Sequence, residues 1–405
     1  MTDIQDTPAA APTGPAPSTP GLAEYQNEIY LRGLGGETPA LPVAVDGLER
    51  AAYAAMTDEA VGYVAGGAGA ERTVAANRAS LDRWRIVPRM LRGVASRDLR
   101  TELLGTAMPA PVLLGPVGVQ TIIHPEGETA TARGAAELGV PYILSTASST
   151  AMEDVVAAAP DAPRWYQLYW PKNRELARSL VARAEKAGFT ALVVTLDTWM
   201  LGWRPRDLEK AYLPFLRRIG IANYTSDPVF RSMLPDGMPT EQAEVLTWAA
   251  NFADPSLTWD DIAWLRQQTS LPLVLKGISC GADASIALDV GADAVHVSNH
   301  GGRQVDGAVA AVDALPEVVD TIARRVPVLF DSGIRTGADA VKALALGADA
   351  VVLGRLYTWG LALGGADGVK AVLRAFLADL DNTMALSGHA RPSELTRSSL
   401  RRAPE

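Results

Sequence analysis

The chain has 405 residues, 48% of them hydrophobic, with a formal net charge of −9 and a single cysteine, Cys280. That is material for one large core, at a length that a single α/β barrel with insertions reaches. The acidic balance argues against nucleic acid, whose affinity rests on Lys and Arg neutralising phosphates, and one cysteine excludes an internal disulfide. No apolar run approaches the roughly twenty residues a membrane-spanning helix needs. No secretory signal opens the chain, so the expectation is a soluble cytoplasmic protein acting on a small molecule.

Residues 1–20, rich in Ala, Pro, Thr and Ser, predict a disordered tail. Everything from 21 to 405 is expected to form one domain. Within it, residues 21–44 read as an ordered arm without regular structure, and two helical stretches, 46–66 and 70–82, follow.

From Pro111 onward a repeat appears, in which a helical segment ends in Gly, a short loop passes, and an apolar strand begins. Gly139 precedes Pro141–Ser145, Gly188 precedes Thr190–Thr195, Gly291 precedes Asp293–Ser298, and Gly347 precedes Asp349–Gly354. Glycine suits the left-handed residue that closes a helix, and a wholly apolar strand suits a buried parallel sheet. The runs Pro111–Gly115, Arg164–Tyr169, Leu271–Lys276 and Pro327–Asp331 bring the count of strands to eight. Eight parallel units predict a (β/α)8 barrel, with an open doubly wound sheet as the competitor. Seven places after the four repeat glycines stand Thr146, Thr195, Ser298 and Gly354, all small or hydroxylic. They predict a polar layer at the carboxyl rim, where barrel enzymes carry their chemistry.

The strand ends then supply candidates in order. Gln167 and Tyr169 close the third strand and share a face by alternation. Thr195-Leu-Asp197 closes the fourth, with Arg204 just beyond. Asp197 is placed to orient an imidazole, or else to cap a helix. Lys276 closes the fifth, a buried cation that needs either an anionic ligand or a rim carboxylate. The sixth runs into Ser298-Asn-His-Gly-Gly-Arg303, where His300 is the one histidine of four in a glycine-flanked loop after a barrel strand. It can take a proton near neutrality, and Arg303 offers a fork for a carboxylate; a satisfied loop histidine is the plainer alternative. His296 is expected to fill the barrel. Asp331-Ser-Gly-Ile-Arg335 and Gly354-Arg355 close the last two strands with the composition of a phosphate site. No Cys/His spacing suggests a metal, and no GxGxxG opens a helix after the first strand, which disfavours a nicotinamide cofactor.

Together these strand ends resemble the FMN-dependent 2-hydroxy-acid oxidising family: glycolate oxidase, lactate oxidase, lactate 2-monooxygenase and the flavin lactate dehydrogenases. The block Ser298–Gln304 is its most specific motif. The likeness also runs through Tyr63–Ala68, His124-Pro-Glu-Gly-Glu128, Gln167–Tyr169, Thr195–Asp197, Leu275–Gly277, Asp331–Arg335 and Lys342–Gly347. It implies that His300 is the base, supported by Asp197. Arg303 and Arg204 would hold the substrate carboxylate, with Tyr63 and Tyr169 on its oxygens. It further implies that Ser145, Gln167, Thr195, Lys276 and Ser298, with backbone from Pro116 to Gly118, hold the FMN ring. Asp331, Gly333, Arg335, Gly354 and Arg355 would hold its ribityl and phosphate.

Within the family the likeness is strongest to lactate 2-monooxygenase, through Glu24–Tyr30, Asp197–Trp199, Gly202–Asp207, Asn223–Phe230 and Gly118. That implies L-lactate and O2 as substrates, with acetate, CO2 and water as products, and a homo-tetramer or octamer. An oxidase releasing pyruvate and H2O2 is the alternative, and a non-catalytic phosphate-binding barrel is the alternative outside the class. The sequence departs from relatives at Val117, Ala310 and Ala147; the last replaces a larger pocket side chain and leaves substrate size open. The long segment 208–257 is expected to be a mobile lid, its apolar part Ala211–Ile221 alternatively touching a membrane.

Overall fold

All four repeat glycines adopt positive φ: 65° at Gly139, 82° at Gly188, 86° at Gly291 and 111° at Gly347. Each ends a helix, and the chain then enters a strand, so the repeat read in the sequence is the βα unit itself. In the computed structural model, which describes residues 21–403, eight parallel strands result. They are β1 (Val112–Leu114), β2 (Tyr142–Ser145), β3 (Arg164–Leu168), β4 (Leu192–Thr195), β5 (Leu273–Ile278), β6 (Ala294–Val297), β7 (Val328–Phe330) and β8 (Ala350–Leu353). They pair in sequence order, and β8 pairs with β1 to close the barrel. Closure excludes the open-sheet alternative.

Alternation sends one set of side chains inward. Leu113, Ile143, Trp165, Val193, Val274, Ala294, Leu329 and Val352 form a cluster inside the barrel. A hairpin of Thr101–Leu103 and Thr106–Met108 closes the amino-terminal end. Its Leu103 and Met108 join that cluster, and Thr106 accepts a 3.0 Å hydrogen bond from Trp165 Nε1. The carboxyl end is thereby the end of the barrel left for a ligand. Outside, helices pack on the strands, several with side-chain caps. Asn173 accepts from Leu176 N, and Thr336 with Asp339 forms a capping box. The last helix, Arg355–Ser387, bends at Gly364 and Gly365, whose dihedrals are not helical.

Two expectations for the N-terminal part are corrected. Residues 21–44 do carry regular structure, α1 (Glu24–Gly33). None of its residues is buried, so no apolar stripe betrays it. It is held from outside, by Glu28 on Arg374 and by the Arg374 guanidinium 4.2 Å from the Tyr25 ring centroid. The 46–66 stretch is two helices, α2 (Val45–Ala55) and α3 (Asp58–Ala65). They are separated where Met56 is extended and Thr57 caps α3 through Ala60 N. The next helix, α4 (Arg72–Asp82), matches the 70–82 expectation. The tail expected over 1–20 lies outside the described residues.

The segment 208–257 is built of short helical pieces, ending in a helix over Thr240–Asn251. Phe215, Ile221, Trp248 and Phe252 are buried, so much of its apolar surface faces the protein. Among the described residues no helix is long and apolar enough to cross a membrane.

Candidate active site

After β6 the backbone turns through consecutive left-handed residues, His300 (φ 57°), Gly301 (64°) and Gly302 (78°). For a non-glycine residue this conformation costs on the order of 1–3 kcal/mol and persists only when its surroundings fix it. Here they do. Ser298 Oγ accepts His300 N (3.1 Å), Ser332 Oγ accepts Gly301 N (3.0 Å), and Asn299 Oδ1 accepts Gly302 N (3.1 Å). A Cβ on Gly302 would stand 2.6 Å from Val74 N, so α4 admits only glycine there. The strained turn projects the imidazole over the barrel mouth.

Asp197, carried past the end of β4, meets that imidazole: its Oδ1 lies 2.7 Å from His300 Nδ1. Thr198 Oγ1 donates to the same carboxylate at 2.8 Å. With Nδ1 engaged as donor, the neutral ring presents the lone pair of Nε2, 3.5 Å from the Tyr169 hydroxyl. Burial pushes the His300 pKa below its ordinary value, against the pull of Asp197, so the resting ring is neutral and able to accept a proton. Burial pushes Asp197 the other way, but the positive charge of Lys276 and the hydrogen bonds from His300 and Thr198 overcome it. The carboxyl stays ionised, well below the usual carboxylate range.

On one side of this pair lie Arg204 and Arg303. Arg204 donates to the Arg303 carbonyl (3.1 Å) and to Gln304 Oε1 (2.7 Å). Arg303 donates to the Gly66 carbonyl at the end of α3 and lies 5.2 Å from the Tyr63 ring centroid. Arg335 bonds the Ile334 carbonyl and lies 5.0 Å from the Trp359 centroid, and Arg355 bonds the Val64 and Gly301 carbonyls and shares the Gly66 carbonyl with Arg303. Among the described residues none of these four forms an ion pair; their partners are carbonyl and amide oxygens. Burial, then mutual repulsion, pushes Arg303 down to about 9 and Arg335 down to about 10. Unpaired buried guanidiniums are costly, and four of them lining one cleft call for anionic ligands.

Lys276 differs. It is buried, but Ser298 Oγ (3.0 Å), Asp197 (3.4 Å) and Asp331 (3.8 Å) surround it. The two carboxylates outweigh burial and raise its pKa, so it is a firm cation. The rim-carboxylate reading of Lys276 is therefore correct, and its place in the cavity wall leaves it able to face a ligand as well.

These groups line one cleft of about 1070 Å³ of free volume, counted to its open mouth. Tyr63, Tyr169, Arg204, His300 and Arg303 line one part of it. Pro116, Gly118, Lys276, Asp331, Gly333, Arg335, Gly354 and Arg355 line the rest. The second part fits FMN on three observations. Buried Gln167 Nε2 and Thr195 Oγ1 have no partner, as ring-binding groups awaiting a flavin would. Arg335 and Arg355 lack a counter-ion beside Gly333 and Gly354. Gly354 starts the last helix, and nothing stands within 4 Å of the position its Cβ would take, which suits a phosphate approaching the backbone.

Five expected residues do not line the cleft. Asp197 stands behind His300. Ser145 donates to Gln167 Oε1 (3.0 Å), and Ser298 serves Lys276 and His300 N. Gln167 and Thr195, buried in β3 and β4, are the other two, and their free Nε2 and Oγ1 are the groups named above. Thr146, expected in the polar rim, spends its hydroxyl on the Gln167 carbonyl and on Tyr169 N. His296 does fill the barrel, 3.1 Å from Asp331. Sequence reading missed the apolar wall of Leu201, Phe215 and Phe252, along with Thr198 and Arg78. Arg78 on α4 bonds the Gly333 carbonyl and Asp339. No local spacing announces a side chain brought in from another loop or helix. Gln304, inside the quoted motif, bonds the Asp197 and Met200 carbonyls (both 2.9 Å) and ties the two loops together.

Comparison with known proteins agrees with this geometry. The chain matches the FMN-dependent dehydrogenase family over residues 52–402. It is 44% identical to an FMN-dependent alpha-hydroxy acid dehydrogenase of Penicillium citrinum, across 94% of this chain and 96% of that protein. It is 42% identical to an L-lactate oxidase of Lysinibacillus sphaericus, across 89% and 93%. Among solved structures, a mandelate oxidase with (S)-4-hydroxymandelic acid superposes with a TM-score of 0.80 at 38% identity, across 89% of this chain and 98% of that one. The chain belongs to the FMN-dependent dehydrogenase family, in its 2-hydroxy-acid-oxidising part, and its cofactor is FMN.

Proposed function

We propose that the protein oxidises a small L-2-hydroxy acid, L-lactate foremost, with O2 as final acceptor. We further propose that it retains the pyruvate formed, so that the overall reaction is lactate plus O2 to acetate, CO2 and water. The observation that carries the reading is one cleft lined both by His300, whose Nε2 lies 3.5 Å from the Tyr169 hydroxyl, and by Arg204 and Arg303, which have no carboxylate partner among the described residues.

FMN, when bound, supplies the acceptor for the substrate's α-hydrogen and its electron pair. The chain's own residues do the rest. Arg303 and Arg204 hold the carboxylate, the anion their charges lack. Tyr63 and Tyr169 bond the substrate oxygens. His300 Nε2 then takes the 2-hydroxyl proton, and Asp197, fixed at 2.7 Å, stabilises the imidazolium that forms. Lys276, Gln167, Thr195, Ser145 and Ser298, with backbone from Pro116 to Gly118, serve the flavin ring. Asp331, Gly333, Arg335, Gly354 and Arg355 serve its ribityl and phosphate.

The lid role of 208–257 is supported by Phe215 and Phe252 in the cleft wall, packed on Trp248 with ring centroids 4.6 and 4.7 Å away. A lid so built retains product, which favours acetate over free pyruvate. The second reading, an oxidase releasing pyruvate and H2O2, draws on the relatives named as lactate and 2-hydroxyacid oxidases. Product analysis in air with a panel of 2-hydroxy acids decides. Acetate and CO2 at the rate of lactate loss support the proposal, and stoichiometric pyruvate with peroxide overturns its second step. A homo-tetramer or octamer is proposed from the family likeness, and light scattering on the holoenzyme tests it.

A further inference from the structure

Glu128 is fully buried, and the chemistry above does not use it. It sits in the first turn of α5 (Gly127–Ala136), inside the His124-Pro-Glu-Gly-Glu128 motif. One oxygen, Oε1, accepts two backbone N–H groups from two different loops: Gln120 N (3.0 Å) after β1, and Ser149 N (2.9 Å) after β2. The other, Oε2, has no partner. Both loops reach the cleft, the first through Val117 and Gly118 and the second through Ala147. They touch there. Val119 N donates to the Ala147 carbonyl at 2.9 Å, and a Cβ on Gly118 would stand 2.7 Å from that oxygen and 2.8 Å from the Ala147 Cβ.

Behind the contact the first loop is pinned again. Gln120 Nε2 donates to the Val117 carbonyl (2.8 Å) and to the Tyr142 hydroxyl (2.8 Å), and the Tyr357 hydroxyl donates to the Gly115 carbonyl (2.9 Å). Glu128 joins the two loops directly through its side chain. Two bonds to one buried carboxyl oxygen, each made to a separate segment, fix a spacing that neither loop sets alone.

We propose that Glu128 is a positioning residue for substrate selection: it clamps the flavin-side 116–120 loop to the 147–149 loop, so that Ala147 is held against Gly118 and bounds the space for the substrate's side chain. The proposal rests on the 2-hydroxy-acid reading above. Burial pushes the Glu128 pKa up, so what the site needs is an acceptor oxygen of this length more than a charge. Glutamine supplies that oxygen; alanine does not, and aspartate falls short by one methylene.

The test measures kcat/KM of the FMN-loaded enzyme for L-lactate and for L-2-hydroxyoctanoate, together with FMN content and flavin spectrum. Glu128→Gln is expected within about threefold of the parent for both substrates. Glu128→Ala is expected to keep FMN, to lose lactate kcat/KM by about tenfold or more, mainly through KM, and to shift selectivity toward the octanoate by about fivefold or more. If Glu128→Ala gives no folded holoprotein, Glu128→Asp carries the same expectation. Equal losses on both substrates, an unchanged ratio, or a Gln variant as impaired as Ala or Asp overturns the proposal. A parent enzyme that oxidises neither acid instead overturns the functional reading beneath it.

Discussion

The substitution Asp197→Asn keeps the size of the side chain and removes its charge 2.7 Å from His300 Nδ1. Taking the charges as about 4 Å apart at an effective dielectric near 20, the pair is worth at most about 4 kcal/mol to the imidazolium. About half to three-quarters of that is felt when the proton is partly transferred, roughly 2–3 kcal/mol, or a factor of about 30–150 in rate. The carboxamide of that variant can also turn its N–H2 toward Nδ1 and select the wrong tautomer, which deepens the loss. The assay is anaerobic stopped-flow reduction of the bound flavin by L-lactate, with FMN content as control. A variant that keeps its flavin and is slowed about 30-fold or more bears out the pairing. Reduction within threefold of the parent refutes it as a source of catalysis.

Other outcomes follow from the same geometry. Because burial lowers the His300 pKa and the base acts when neutral, kcat/KM rises with pH through that depressed value; its acid limb lies below 6.5, and a midpoint above 6.5 contradicts the direction. Arg335→Met removes a buried cation with no carboxylate partner and is expected to weaken FMN by about 10–100-fold, roughly 1.5–3 kcal/mol, in a fluorescence titration of the apoprotein; unchanged affinity removes Arg335 from the phosphate site. Phe215→Ala opens the stack over the cleft, so the peroxide-to-acetate ratio is expected to rise at least severalfold in air, and a constant ratio counts against the lid's role in retention.

Much of the fold is written locally. The helix-closing glycines and the apolar strands they introduce give the βα repeat four times, four further apolar runs bring the strands to eight, and eight parallel strands leave closure as the economical arrangement. The candidate site was legible where one segment carries its own signal: the strained Ser298–Arg303 turn, the Asp197 rim carboxylate, the Arg335 and Arg355 loops. What was not legible depends on distant packing. α1 has no buried residue to impose a period and is held by Arg374 from the far end of the chain. Phe215 and Phe252 enter the cleft because the segment 208–257 folds back onto it, and which rim residues reach the cavity wall is a matter of which way each side chain turns. Thr146 shows the limit, since its hydroxyl serves two backbone groups and no ligand.

The most direct test of His300 as the base mixes the FMN-loaded enzyme anaerobically with L-lactate and, separately, D-lactate, and repeats this for His300→Gln while following the flavin's visible absorption. Rapid bleaching is expected with the L-acid alone, together with a variant that stays yellow with nearly all reduction lost. Bleaching of His300→Gln at the parental rate would contradict that role.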